Sequence, residues 1–166
     1  MYLYGTQSIT ENDHLSIGGV DTIELVKAYG TPLYVYDIAL FRKRSQDFID
    51  TFKNASVKAQ VAYASKAFSS MAIYQVAAQE GLSVDVVSGG ELYTALKAGF
   101  PSEKIHFHGN NKSPQELEFA FKSNIGCIVI DNFYEIELLK QLSSERKQKP
   151  PLSTMRSATA PASPAA

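Results

Sequence analysis

The chain has 166 residues, enough for one ordinary domain, with 45% hydrophobic and 20% charged residues, so a packed core is within reach. A net charge of −1 without a strongly basic block argues against nucleic acid as the main partner. One cysteine excludes an internal disulfide, and no charged-then-apolar leader pattern and no apolar run near 18 residues appears. The expectation is a cytoplasmic chain with no membrane partner.

Residues 1–20 are mixed and turn-rich, closing on Gly18-Gly19. Asp21-Thr22-Ile23-Glu24 has capping-box spacing and opens a short helix that Gly30 stops. Pro32-Leu33-Tyr34-Val35-Tyr36 reads as a strand, aromatic and β-branched with proline at its edge. Asp37 caps the next helix, on which Ile38, Phe41, Phe48, Ile49 and Phe52 recur at helical spacing. Arg42, Lys43 and Arg44 read as its solvated face.

From Val57 a rhythm sets in. Strand-like runs near 57–64, 83–87, 104–107 and 127–130 alternate with helices near 69–80, 89–98, 114–123 and 133–146. Ser88 with Glu91, Ser113 with Glu116 and Asn132 with Glu135 have capping spacing, Pro114 sits at a first helical position, and Gly81 and Gly99 stop two helices. This alternation implies a parallel sheet, and a strand every 22–26 residues or so is as short and regular as in a (β/α) barrel. Such a barrel needs eight units; this chain supplies about four. Cys127, inside Gly126-Cys127-Ile128-Val129-Ile130, reads as a buried structural thiol. After Lys149 the periodicity ends in Pro, Ser, Thr and Ala, and residues 150–166 read as disordered.

Chemistry-bearing residues fall at the C-terminal ends of the strands, where α/β folds keep their sites. These are Lys66, Asp85 with Ser88-Gly89-Gly90-Glu91, His108-Gly109-Asn110-Asn111-Lys112, and Asp131. Each also has a plain reading. A lone lysine after a strand is ordinarily solvated, Glu91 serves equally well as the back-bonding partner of Ser88, Gly89-Gly90 makes a tight turn, and His108 is a polar loop residue. His106 is expected to face the sheet packing. No Cys/His cluster has metal-ligand spacing, and no phosphate-binding Walker loop or Gly-x-Ser-x-Gly elbow appears.

Tyr63-Ala64-Ser65-Lys66-Ala67-Phe68 resembles the lysine motif of the alanine-racemase-like, fold-type III pyridoxal-phosphate enzymes. Asp85-Val86-Val87-Ser88-Gly89-Gly90-Glu91-Leu92 resembles the second motif of their decarboxylase branch, and His108-Gly109-Asn110-Asn111-Lys112-Ser113 the third motif of the diaminopimelate decarboxylases. Asp13–Gly19 and Thr31–Asp37 fit as well, so the resemblance runs in order from residue 2 to about 149. Phe68 stands where the first motif usually has Asn, a change compatible with the diaminopimelate branch.

The resemblance implies an α/β fold: the first half of a (β/α)₈ barrel over 37–149, preceded by a segment 1–36 that packs partly with a β-sandwich domain. It implies pyridoxal 5′-phosphate held covalently by Lys66, with Asp85, Glu91, His108 and Asn110 close to the cofactor. The implied reaction is decarboxylation of meso-diaminopimelate, a small amino-acid substrate, to L-lysine and carbon dioxide by a homodimer. The phosphate-gripping loop, the acidic partner of the ring nitrogen, the stacking His and the Cys shared across the dimer have no counterpart here, so little activity is expected of this chain alone. Related decarboxylases of arginine, ornithine or carboxynorspermidine, and a non-enzymatic remnant, stay open as alternatives.

Overall fold

The computed structural model describes residues 2–147 and 149–155. The chain divides into two compact units, one ending at Val61 and one beginning at Ala62.

In the first unit, three short antiparallel strands, β1 (Ser8–Ile9), β2 (Leu15–Ile17) and β3 (Val20–Asp21), form a small sheet within the stretch expected to be turns. Helix α1 (Thr22–Tyr29) starts where Asp21 accepts the N–H of Ile23, and His14 Nδ1 lies 2.8 Å from the same carboxylate. Helix α2 (Ile38–Asn54) is capped by Asp37, which accepts the Leu40 N–H at 2.8 Å and is also hydrogen-bonded by the Thr6 hydroxyl. The basic run of α2 is solvated: Lys43 pairs with Asp47 one turn on.

Two expectations fail here. Pro32–Tyr36 forms no strand among the described residues, and Leu33, Tyr34, Val35 and Tyr36 are exposed. Residue types that suit a pleat make a strand only where a neighbouring strand supplies ladder partners. For the same reason the run expected to be a strand from residue 57 pairs only over its last three residues, β4 (Ala62–Ala64).

The second unit is a parallel sheet in the order β4, β5 (Ser83–Val86), β6 (Ile105–Phe107), β7 (Cys127–Ile130) and β8 (Leu152–Met155). The connections carry α3 (Met71–Gln79), α4 (Gly89–Lys97), α5 (Pro114–Lys122) and α6 (Phe133–Arg146). The N-caps are Ser70, Ser88, Ser113 and Asn132, the last three as their spacing predicts, and Ser113 with Glu116 closes a reciprocal capping box.

Strand alternation separates two faces. Val84, Val86, Ile105, Phe107 and Ile128 are fully buried with Leu92, Ala95, Leu117, Ala120 and Phe121 of the helices. Burial of each large apolar side chain contributes about 1.5–3 kcal/mol. On the other face, register places Ala64, Asp85, His106 and Cys127 side by side across β4 to β7. Cys127 is buried, as expected.

Disorder from Pro150 onward does not hold for Leu152–Met155, which pair in parallel with Cys127–Ile130 as β8. Without β8, β7 would present an edge of unpaired N–H and C=O groups, a ready template for a further strand. Pro150 and Pro151 lack donors only at their own positions, ahead of the ladder. The rest of that tail lies outside the described residues.

Candidate functional site

Lys66 sits in a 3₁₀ turn, Ser65–Ala67, directly after β4. Two side-chain bonds hold this turn: the Ser65 hydroxyl donates to the Asp85 carbonyl at 2.8 Å, and the Tyr63 hydroxyl donates to the Phe68 carbonyl at 2.8 Å. Ser65 is fully buried while Lys66 is exposed, so the turn is anchored by one residue and presents the next.

Asp85, one strand over, points from the polar face near the end of β5. Its Oδ1 is buried and makes no well-formed hydrogen bond among the described residues. Two imidazoles face it: His106 Nδ1 at 3.3 Å and His108 Nε2 at 3.5 Å. His106 was expected in the sheet packing. The register Asp85↔His106 puts it beside the carboxylate instead, because neighbouring residues of paired parallel strands share a face. This signal was present in the alternation Ile105-His106-Phe107, whose apolar members take the helix face.

After β6 the chain bends inward. The His108 N–H donates to the Val86 carbonyl at 2.8 Å, and Gly109 follows at φ +113°, with space for a Cβ only 3.4 Å from the Val87 carbonyl oxygen. The turn therefore runs close against the end of β5, in a conformation that favours glycine.

Ala64, Lys66, Asp85, Val87, His108, Gly109 and Asn110 line one cavity of about 460 Å³. Four of the five site residues expected from the sequence are thus brought together. Glu91 is not among the lining residues: its carboxylate accepts the Val87 N–H at 2.5 Å, while its own N–H donates to the Ser88 hydroxyl at 3.2 Å. The Gly89 N–H is taken by Glu116 Oε1 at 2.7 Å. Asp131 stands at the end of β7, its N–H donating to Glu135 Oε2 at 3.0 Å.

Sequence reasoning missed a buried ion pair behind this cavity, Lys112 Nζ with Glu135 Oε2 at 2.9 Å, the two side chains 1% and 2% exposed. Helical periodicity assigned Glu135 only a capping role, and no local pattern joins it to a lysine on another loop.

The cavity suits a small, polar carbonyl compound. It falls in the size range of ligand pockets. It offers a primary amine that makes no hydrogen bond or ion pair among the described residues, the Asp85 carboxylate, and the imidazole of His108. No group of three or more His, Cys, Asp or Glu residues among those described could hold a metal ion.

Comparison with known proteins accords with this chemistry. The family of pyridoxal-dependent decarboxylases, pyridoxal binding domain, matches residues 39–157, past Pro150. The diaminopimelate decarboxylase of Bacillus methanolicus is 63% identical over 149 residues, covering 90% of this chain and 34% of that protein. That of Bacillus subtilis is 63% identical over 145 residues, covering 87% of this chain and 33% of the relative. The crystal structure of diaminopimelate decarboxylase from M. jannaschii in co-complex with L-lysine superposes with a TM-score of 0.82 at 35% identity, over 91% of this chain and 35% of that one. The chain spans about a third of the length of these relatives. Its parallel strands and helices therefore correspond to part of a (β/α)₈ barrel, and the chain belongs to the pyridoxal-dependent decarboxylase family through its pyridoxal-binding domain.

Proposed function

We propose that this chain is the cofactor-binding part of a diaminopimelate decarboxylase, which converts meso-diaminopimelate to L-lysine and carbon dioxide in lysine synthesis. The observation that carries the reading is the convergence of Lys66, Asp85, His108 and Asn110 on one cavity at the C-terminal ends of parallel strands. Identity of 56–63% to three relatives bearing that name supports the substrate.

Bound pyridoxal phosphate supplies an electron sink for the pair left behind when carbon dioxide departs. Lys66 brings the amine that holds the cofactor covalently; an amine is the suitable side chain because it is nucleophilic once deprotonated. Asp85 presents its carboxylate at the cavity wall, with His108 Nε2 3.5 Å from Oδ1. Asn110 contributes both a donor and an acceptor at the mouth. Glu91 acts from behind, tying the β5–α4 turn through Val87. In this reading residues 37–149 form the first half of the cofactor-binding barrel, and the whole protein is a cytoplasmic homodimer. No helix among the described residues is long and apolar enough to cross a membrane.

Borohydride reduction of the chain with pyridoxal phosphate, followed by peptide mass mapping, tests the site. Selective labelling of Lys66, absent in Lys66→Ala, supports it; labelling scattered over surface lysines and unchanged by Lys66→Ala refutes it. Release of carbon dioxide from meso-diaminopimelate by the whole protein, in preference to arginine and ornithine, tests the substrate.

A further inference from the structure

The β6–α5 loop, which carries three of the cavity residues, has little in its own sequence to hold it. Gly109-Asn110-Asn111 contains no apolar anchor, and Asn110 and Asn111 are exposed. Lys112 closes the loop, and it is buried, 5% exposed as a residue. Its ammonium donates to three acceptors from three segments: the Gly109 carbonyl at 2.6 Å, the Val129 carbonyl of β7 at 2.8 Å, and Glu135 Oε2 at 2.9 Å. Glu135 Oε2 in turn accepts the Asp131 N–H at 3.0 Å, at the entry to α6. One ammonium thus ties the β6–α5 loop to β7 and to the start of α6.

Burying such a pair is no economical route to stability. Desolvating two charges costs several kcal/mol, and apolar residues of similar volume often serve as well. What an apolar pair cannot supply is direction: three N–H donors aimed at fixed oxygens determine where the Gly109 carbonyl lies. Gly109 is flanked by His108 and Asn110, and all three line the cavity. We propose that Lys112 and Glu135 are positioning residues, a buried lock that sets the His108–Asn110 turn for cofactor binding. This rests on the reading of the cavity as a pyridoxal phosphate site.

The test is the 166-residue chain with both partners replaced together, Lys112→Met with Glu135→Leu, so that no lone charge is left buried. Hydrogen exchange is read by mass spectrometry, and cofactor binding by borohydride-trapped adduct on Lys66 against pyridoxal phosphate concentration. The lock predicts about tenfold faster exchange at 108–112, with β5 and β6 at wild-type protection. It also predicts a half-saturating concentration about tenfold higher, since only a fraction of molecules would hold the competent turn. Wild-type exchange and wild-type cofactor dependence in the double variant would overturn the proposal. So would loss of protection throughout the sheet, because the pair would then be a general stability element. If the wild-type chain shows no selective Lys66 adduct, the cofactor reading fails, and exchange at 108–112 by itself decides the lock.

Discussion

Asp85 Oδ1 lies 3.5 Å from Nε2 of His108, buried in the cavity wall, yet receives no well-formed hydrogen bond among the described residues. A buried acceptor without a donor costs free energy, and the same residue lines the cavity.

Asp85 is therefore expected to matter more for binding than for folding. Asp85→Asn should change stability by less than about 1 kcal/mol, since no formed hydrogen bond is lost. It should raise the pyridoxal phosphate concentration needed for half-maximal trapping on Lys66 by about tenfold, the loss of one charge-assisted contact. Urea denaturation and the trapping curve measure the two effects separately.

Lys112→Met alone should behave differently from the paired replacement. Glu135 would be left without its ammonium partner in a site where its side chain is 2% exposed. The expected loss is about 3–5 kcal/mol, partly restored when Glu135→Leu is added. Urea midpoints of the two single variants and the double variant give the coupling directly.

Glu116 links two helix starts and should carry acid sensitivity. Burial works against ionisation of its carboxyl, but the N–H groups of Ser113 and Gly89, the Ser113 hydroxyl and the Lys112 charge outweigh it and hold the group below its ordinary value of 4.5. A carboxyl lowered on folding contributes stability above its unfolded pKa, and that contribution disappears as pH falls through the folded value. Wild type should thus exceed Glu116→Gln in melting temperature at pH 7, with the gap closing below pH about 4.5. Melting curves at pH 7, 5, 4 and 3 would show it; a gap independent of pH would refute it.

Gly126 precedes β7 at a point where the chain passes against another backbone. A Cβ there would fall 2.0 Å from the Glu103 carbonyl oxygen, while the Gly126 N–H donates to the Ser102 carbonyl at 2.9 Å. Neither side is the end of a flexible side chain. Gly126→Ala should cost at least about 2 kcal/mol by overpacking, read from the urea midpoint.

Much of this molecule was legible in the chain itself. Capping pairs and apolar periodicity are local, so α3 to α6 and the paired parts of β4 to β7 could be read from neighbouring residues. Strand ends in such a sheet converge on one side, which marked out Lys66, Asp85 and the loop from His108; the resemblance of their motifs to the family's is what singled out Lys66, Asp85, His108 and Asn110. Pairing partners were not legible. Pro32–Tyr36 has strand-forming residues without a ladder, Leu152–Met155 gains one from β7, and both outcomes depend on what lies alongside in space. His106 beside Asp85 and Lys112 against Glu135 were decided by the tertiary structure as well. Register and crossover geometry bring together side chains that are 21 and 23 positions apart in sequence, and no local pattern encodes that meeting.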